Sequence, residues 1–309
     1  MKRILLVGSA NMDLSMNIYK MPEPGETLLD DGGIAYTPGG KGANSAIAFA
    51  KLGGECVFCT KLGRDAHGQR LFTYYKENGI NTSYIKVDAE APTGLAVVMK
   101  ESDGSNRIIV YPGSNKLLNN DNIAEAFNCN PDALYIGFEI PFEMAVAAAK
   151  IASARNIPIF VDAAPASKDY PLEALPPVEV FSPNETETLE YTGIMPKGAS
   201  SCLTAAHSLY TRVKAKYIVI KLGARGAYVY DGKYCDFVPA YKADAVVDTT
   251  AAGDTFTAAM TLEYLRTSNI KSAIKYGAAA AAIAVSRKGA GASVPSAAEV
   301  AEFMQRKDN

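Results

Sequence analysis

Short runs of consecutive apolar residues recur along the chain, at Ile4–Val7, Val57–Cys59, Ala133–Ile136, Ile157–Val161, Val178–Phe181 and Tyr217–Leu222. A strand that is apolar on both faces has to be covered on both, so these runs predict a parallel sheet buried between two layers. Between them, apolar residues return at helical spacing, as at Phe142, Ala145, Val146 and Ala149, and at Ile270, Ala273, Ile274 and Gly277. Gly53 and Gly79 stand where helices over 43–52 and 71–78 would end. Ser296 and Glu299 have the spacing of a capping box that opens a last helix. The alternation predicts an α/β layered sandwich around a central, mostly parallel sheet.

Two segments break the rhythm. Residues 14–37 carry Pro22, Pro24, Gly25, Gly32 and Gly33 with no helical period, and residues 93–111 read as a hairpin turning at Asp103-Gly104. A lone hairpin is marginally stable, so the two segments are expected to pair as a small sheet, a lid or a dimer surface. The expected division is a main α/β domain of 1–13, 38–91 and 112–309, and a β-sheet lid and dimer contact of 14–37 and 92–111.

Composition narrows the class. With 309 residues, 48% of them hydrophobic, the chain can bury a full core without staples. A formal net charge of −2 gives no basic excess for nucleic acid or an anionic membrane. Only His67 and His207 are present, with no HExxH, so a His-rich zinc site is not expected. The apolar stretches fall short of the ~20 residues of a membrane span. The initial apolar run is too short for a signal peptide. Five irregularly spaced cysteines do not form a disulfide pattern, which predicts a cytoplasmic protein with reduced thiols. Cys56 and Cys59 form a C-x-x-C, but in a strand-like run without a second pair, which favours plain packing.

The segment Asp248–Phe256 (DTTAAGDTF) carries the sharpest chemistry. Small residues and Gly253 lead into a helical run, and free N–H groups at a helix start bind anions. Ala251, Ala252 and Gly253 would let a phosphate approach, and Asp254 in the first turn suits a base for a hydroxyl attacking it. The other reading of Asp254 is a carboxylate that satisfies the helix start. Gly39–Asn44 (GGKGAN) is neither a Walker A loop nor a GxGxxG fingerprint, and by itself reads as a tight turn. The missing fingerprint argues against an oxidoreductase. Polar residues follow several strands: Asn11 and Asp13, Glu139, Asn184 with Glu187, and Gly223–Gly226. Open α/β sheets bind ligands beyond those strand ends.

Taken in order, these motifs resemble the ribokinase branch of the phosphofructokinase-B-type carbohydrate kinase superfamily. The resemblance runs from Gly8–Asp13 (GSANMD) to Ser293–Pro295, through Pro24–Glu26, Gly39–Asn44, Ala164–Ala166, Pro183–Glu187, Asp248–Phe256 and Arg287–Ala290. It implies ATP-dependent phosphorylation of a small sugar, D-ribose first, at its 5-hydroxyl, by a homodimer whose lid forms the contact. It implies a sugar site of Asn11, Asp13, Gly40, Lys41, Asn44, Glu139 and Asp254, with Asp254 as base and Ala251–Asp254 as anion hole. ATP would meet Asn184, Lys221, Gly223, Ala224, Arg225, Gly226, Gly253 and Ala278. Glu187 matches the position associated with Mg2+. Asp248, Thr250, Ala284, Arg287, Gly289 and Ser293 match a monovalent-cation loop that would take K+. Asp162-Ala163 stands where many members have Asn-Pro, and Ala278 where some have a polar residue near the adenine. Two other functions stay open: a kinase for deoxyribose, a nucleoside or another furanose, and a sugar- or nucleotide-binding regulator without turnover. A regulator has no need of the Asp254 base.

Overall fold

The computed structural model describes residues 1–29, 32–101 and 106–308. The strands are β1 (Arg3–Val7), β2 (Asn11–Ile18), β3 (Ile34–Gly39), β4 (Glu55–Gly63), β5 (Ile85–Asp88), β6 (Gly94–Glu101), β7 (Asn106–Tyr111), β8 (Ala133–Ile136), β9 (Ile159–Asp162), β10 (Val178–Ser182), β11 (Ala215–Lys221), β12 (Ala227–Tyr230) and β13 (Cys235–Val238). The helices are α1 (Lys41–Lys51), α2 (Ala66–Glu77), α3 (Asn120–Ala126), α4 (Phe142–Ala154), α5 (Glu185–Thr192), α6 (Ala199–Val213), α7 (Ala252–Thr267), α8 (Ile270–Ala284) and α9 (Ala297–Asp308).

The large sheet has the order β13-β12-β11-β10-β9-β8-β1-β4-β5. It is parallel from β11 to β5, with β12 and β13 antiparallel at one edge. Each of the six apolar runs overlaps one of its strands. Alternate residues of each run enter opposite layers. Ile4 and Leu6 belong to the core layer that includes residues of α1, α7 and α8, while Leu5 and Val7 belong to the layer that includes residues of α3, α4 and α6. That two-sided burial is why the runs are continuous rather than alternating. Cys56 and Cys59 fall on opposite faces of β4, both buried, and desolvation pushes both thiols up, Cys59 to about 12. They are packing residues. All five cysteines are free.

β5, β12 and β13 were not foreseen. β5 and β13 are partly exposed at the sheet margins, so no apolar run marks them, whereas β12 (Ala227–Tyr230) is a buried apolar run that the reading passed over. The irregular segments form a second sheet of order β3-β2-β6-β7, with β2 parallel to β6 over eight residue pairs. The small sheet already begins at Asn11, so Asn11 and Asp13 belong to its root. The foreseen Asp103-Gly104 turn lies outside the described residues. Ser296 and Glu299 make the expected capping box, with Ser296 N–H donating to Glu299 Oε2 at 2.7 Å and Glu299 N–H donating to Ser296 Oγ at 3.3 Å. Among the described residues no helix is long and apolar enough to cross a membrane.

Candidate active site

Because β1, β8, β9, β10 and β11 are parallel, their carboxyl ends open on one edge of the sheet. The first turn of α7 comes to the same edge. Ala251 precedes it at φ 61°, a left-handed conformation that costs a non-glycine residue about 1–2 kcal/mol. This bend lets Ala252 N–H bond Thr249 O at 3.3 Å, and Thr255 N–H bonds Ala251 O at 2.8 Å. The start of a helix leaves Gly253 and Asp254 N–H without intrahelical acceptors. Gly253 is exposed there, and Asp254 is buried.

Asp254 is not a simple helix cap. Asn44 Nδ2 donates to its Oδ2 at 2.9 Å, and Lys41 Nζ lies 3.8 Å from its Oδ1. Burial raises its pKa; Lys41 opposes this, Asp162 adds to it, and the Asn44 bond and Lys221 oppose it. The net shift is upward, which makes this carboxylate a stronger proton acceptor than an ordinary aspartate.

The Gly39–Asn44 segment is a close-packed seam. A Cβ on Gly42 would lie 2.6 Å from Ser9 N and 2.7 Å from Gly8 C, and one on Gly39 would strike the Asp13 carboxylate. Gly40 turns at φ 90° against the backbone of Ala10 and Asn11. The seam sets Lys41 and Asn44 at the start of α1, facing Asp254. Glu139 closes it from the end of β8, where its Oε2 accepts from Ser9 Oγ and, at 3.0 Å, from Lys41 N–H. Asn11 Nδ2 stands 3.5 Å from the same oxygen. Asp13 projects from β2 into this group. Burial pushes its carboxyl up to about 7, with Glu139 and Asp254 adding to the rise. The structure thus brings Asn11, Asp13, Gly40, Lys41, Asn44, Glu139 and Asp254 together.

On the other side, Asn184 caps α5. Its N–H donates to Glu187 Oε2 at 2.7 Å and its Oδ1 accepts from Glu187 N–H at 2.8 Å, a complete capping box, and its Nδ2 also donates to Glu187 Oε1 at 2.9 Å. Burial raises the pKa of Glu187, and Lys221 opposes it. Lys221 N–H bonds Pro183 O at 2.8 Å, tying the ends of β10 and β11 together. Gly223, Ala224 and Arg225 form a 3-10 turn that ends at Gly226. Arg225 bonds Glu185 at 2.6 Å and Pro196 O at 2.8 Å, so its guanidinium anchors this loop. Ala278 is buried in α8 and offers no polar group.

Behind α7, Asp248 joins two loops. Its Oδ1 accepts from Thr250 N–H at 2.9 Å and Thr250 Oγ1 at 2.6 Å, and its Oδ2 accepts from Gly289 N–H at 3.1 Å. Val285 O accepts from Asp248 N–H at 3.2 Å, which brings the end of α8 at Ala284 beside this loop. Ser293 Oγ donates to Ala290 O at 2.7 Å within the same turn. The Arg287 side chain leaves the group and bonds Glu299 of α9 at 2.6 Å.

The sequence profile of the pfkB family carbohydrate kinases matches residues 1–297. The chain belongs to this family. It is a sugar kinase acting on a hydroxyl group. It is 34% identical over 301 residues to a ribokinase of Staphylococcus aureus, covering 96% of this chain and 98% of that protein. It is 33% identical over 307 residues to a ribokinase of Haemophilus influenzae, covering 98% and 99%. The fold matches Arabidopsis thaliana ribokinase complexed with ribose and ATP at a TM-score of 0.89, with 31% identity over 98% of this chain and 99% of that one.

Sequence reasoning gave no site role to several residues of this kinase's cleft. Asn115, 1% exposed, takes Ala10 N–H on its Oδ1 at 2.9 Å and donates to Asn11 Oδ1 at 2.8 Å, so it fixes which way the Asn11 amide points. Ser9 bridges α1 to Glu139, and Asp162 pairs with Lys221 at 2.7 Å. The Asn115 position reads as an ordinary turn after the hairpin, so no local signal marks it. Asp162 does carry one, a charge ending an apolar strand.

Proposed function

We propose that this kinase transfers the γ-phosphoryl group of ATP to the 5-hydroxyl of D-ribose, giving D-ribose 5-phosphate and ADP. The observation that carries the reading is Asp254, buried at the start of α7 and held by Asn44 on the side where the polar sugar cluster converges. The ribokinase relatives and the Arabidopsis complex support ribose and ATP as the substrates.

In the proposed step Asp254 takes the proton of the 5-hydroxyl. The sugar oxygen bonds to the γ-phosphorus as its bond to the β,γ-bridging oxygen breaks, and ADP leaves with that electron pair. The N–H groups of Gly253 and Asp254 and the Lys41 ammonium stabilise charge on the phosphoryl oxygens. Positioning and electrostatics carry most of such catalysis. Asn184, Gly223, Ala224, Arg225, Gly226 and Ala278 line the nucleotide side. The small sheet acts as a lid over the sugar and keeps water from competing as acceptor.

Asn11, Asp13 and Glu139 select the sugar. A carboxylate such as Asp13 accepts from two adjacent hydroxyls, which favours a sugar with both the 2- and the 3-hydroxyl. Loss of one leaves a site group unpaired at about 1–3 kcal/mol. An ADP-release assay over pentoses and nucleosides tests this. Ribose is expected to exceed 2-deoxyribose in kcat/KM by roughly 5–150-fold, and Asp13→Ala to shrink that ratio with less effect on ATP affinity. A nucleoside as best substrate would remove ribose from the account and leave a kinase.

Two cations fit the residues present. Mg2+ enters largely on phosphate and water oxygens, and the Glu187 carboxylate at the cleft is an oxygen donor of the required hardness. It supplies charge neutralisation to the phosphates. The loops joined by Asp248 offer one carboxylate, the Thr250 and Ser293 hydroxyls and main-chain carbonyls near Ala284, Arg287 and Gly289. This donor set suits a weakly hydrated monovalent ion, K+. The ion would order the turn that leads into Ala251. Potassium is expected to raise activity over sodium or a bulky organic cation at equal ionic strength. Equal rates in the three salts would count against the site.

The small sheet also supports a homodimer. Its edge strand β7 exposes Ile108, Ile109, Val110 and Tyr111, all at least 41% accessible, and an open apolar edge calls for cover. Two lids paired across a two-fold axis would bury it. Light scattering at micromolar concentration should give about twice the 32.8 kDa chain mass; an active monomer would leave the lid as a flap alone. Free thiols and an ATP-requiring reaction suit the cytoplasm.

A further inference from the structure

The end of β9 and the end of β11 carry a buried ion pair. Lys221 Nζ lies 2.7 Å from Asp162 Oδ1, with the two side chains 11% and 6% exposed. Taking two charges out of water is costly, and a buried pair is weak evidence for a stabilising role. Its position is informative instead. Lys221 Nζ reaches Thr257 Oγ1 of α7 at 3.3 Å, and a Cβ on Gly253 would stand 3.9 Å from it. The ammonium therefore sits against the first turn of α7, beside the open N–H groups.

A lysine ammonium has three N–H bonds. Asp162 and Thr257 take two, and among the described residues nothing takes the third. Asp162 is in turn held from behind, where its Oδ2 accepts from Tyr135 OH at 3.3 Å and Tyr135 OH meets Ser45 Oγ at 3.1 Å. The carboxylate is thus fixed, and the ammonium keeps one donor beside the start of α7.

We propose that Lys221 contacts the transferred phosphoryl group through this third N–H bond, and that Asp162 is the positioning residue that keeps the ammonium beside the start of α7. The proposal rests on the kinase reading and adds to it a second cation, opposite Lys41. As the sugar oxygen bonds to phosphorus and the bridging oxygen leaves with ADP, charge on the phosphoryl oxygens meets Lys41 on the sugar side and Lys221 on the nucleotide side. The pair also acts on the base. Asp254 is faced by Lys41 and Asn44 from α1, Asp13 from β2, Tyr135 from β8, Asp162 from β9 and Lys221 from β11. Asp162 raises its proton affinity and Lys221 lowers it.

The test compares Lys221→Met, Lys221→Arg and Asp162→Asn in single-turnover phosphoryl transfer to ribose across pH, with calorimetric titration of Mg-ATP and Mg-ADP. Lys221→Met is expected to slow transfer about 10²-fold, to change sugar affinity little, and to weaken ATP more than ADP. Lys221→Arg should restore part of the rate. The acidic limb of the rate profile should move to higher pH in Lys221→Met and to lower pH in Asp162→Asn. A role confined to packing predicts neither the ATP-over-ADP difference nor limbs that move in opposite directions. The proposal is overturned if Lys221→Met weakens ATP and ADP equally at unchanged rate, or if the two limbs move together or stay in place. If the wild-type protein phosphorylates no sugar, the kinase reading fails separately, and the ATP-against-ADP titration still decides whether Lys221 meets the terminal phosphate.

Discussion

Asp254→Asn is expected to lower turnover by roughly 10²–10⁴-fold, the range for loss of a positioned general base. The amide keeps the shape of the carboxylate and can still hydrogen-bond Asn44, but it cannot take the proton of the hydroxyl. Ribose and ATP affinities should change far less, because the lost interaction belongs to the transition state. In the wild type, the raised pKa of Asp254 sets the sign of the pH dependence. The ionised base is present above that pKa, so activity falls as pH drops through it, at a higher pH than an ordinary carboxylate would give. Near wild-type turnover in Asp254→Asn would reduce Asp254 to a helix-start residue.

Gly42→Ala is expected to be nearly as damaging, by a different route. The added Cβ meets backbone of Gly8 and Ser9, at 2.7 and 2.6 Å, rather than a side chain that could swing away. Relief requires α1 to move off the β1–β2 link, at about 1–3 kcal/mol of overpacking. The same movement shifts Lys41 and Asn44 relative to Asp254. A displacement near 1 Å can cost roughly 10²-fold, so kcat/KM should fall on that scale while the chain still folds. Gly198→Ala is the control: its Cβ would meet nothing within 4 Å at the start of α6, and its activity should match the wild type. Full activity in Gly42→Ala would mean that the seam does not position the site.

The contrast between these two positions shows what a sequence can carry. Asp254 was legible because its neighbours, small residues before a helix, state a chemistry in one short stretch. Gly42 was legible only as part of a glycine-rich turn. Its cause is a close approach to a strand end more than thirty positions earlier, which no local spacing records. The same holds for Asn115, which reads as a turn residue and in the fold orients Asn11 from 104 positions away. The large sheet was readable where burial on both faces left a continuous apolar run, though the run at β12 was passed over, and unreadable at β5 and β13, which sit partly exposed at the margins. The small sheet was read from the loss of helical period, and its parallel β2–β6 pairing emerged only with the structure.

The central claim is best tested on the product. The purified protein, supplied with Mg-ATP, K+ and D-ribose, can be followed by phosphorus and proton magnetic resonance while released ADP is counted. One phosphomonoester per ADP is expected, with phosphorus coupled to the protons on carbon 5 of ribose, and almost none in Asp254→Asn. ADP released without a sugar phosphate, or phosphate found on another hydroxyl, would contradict the claim.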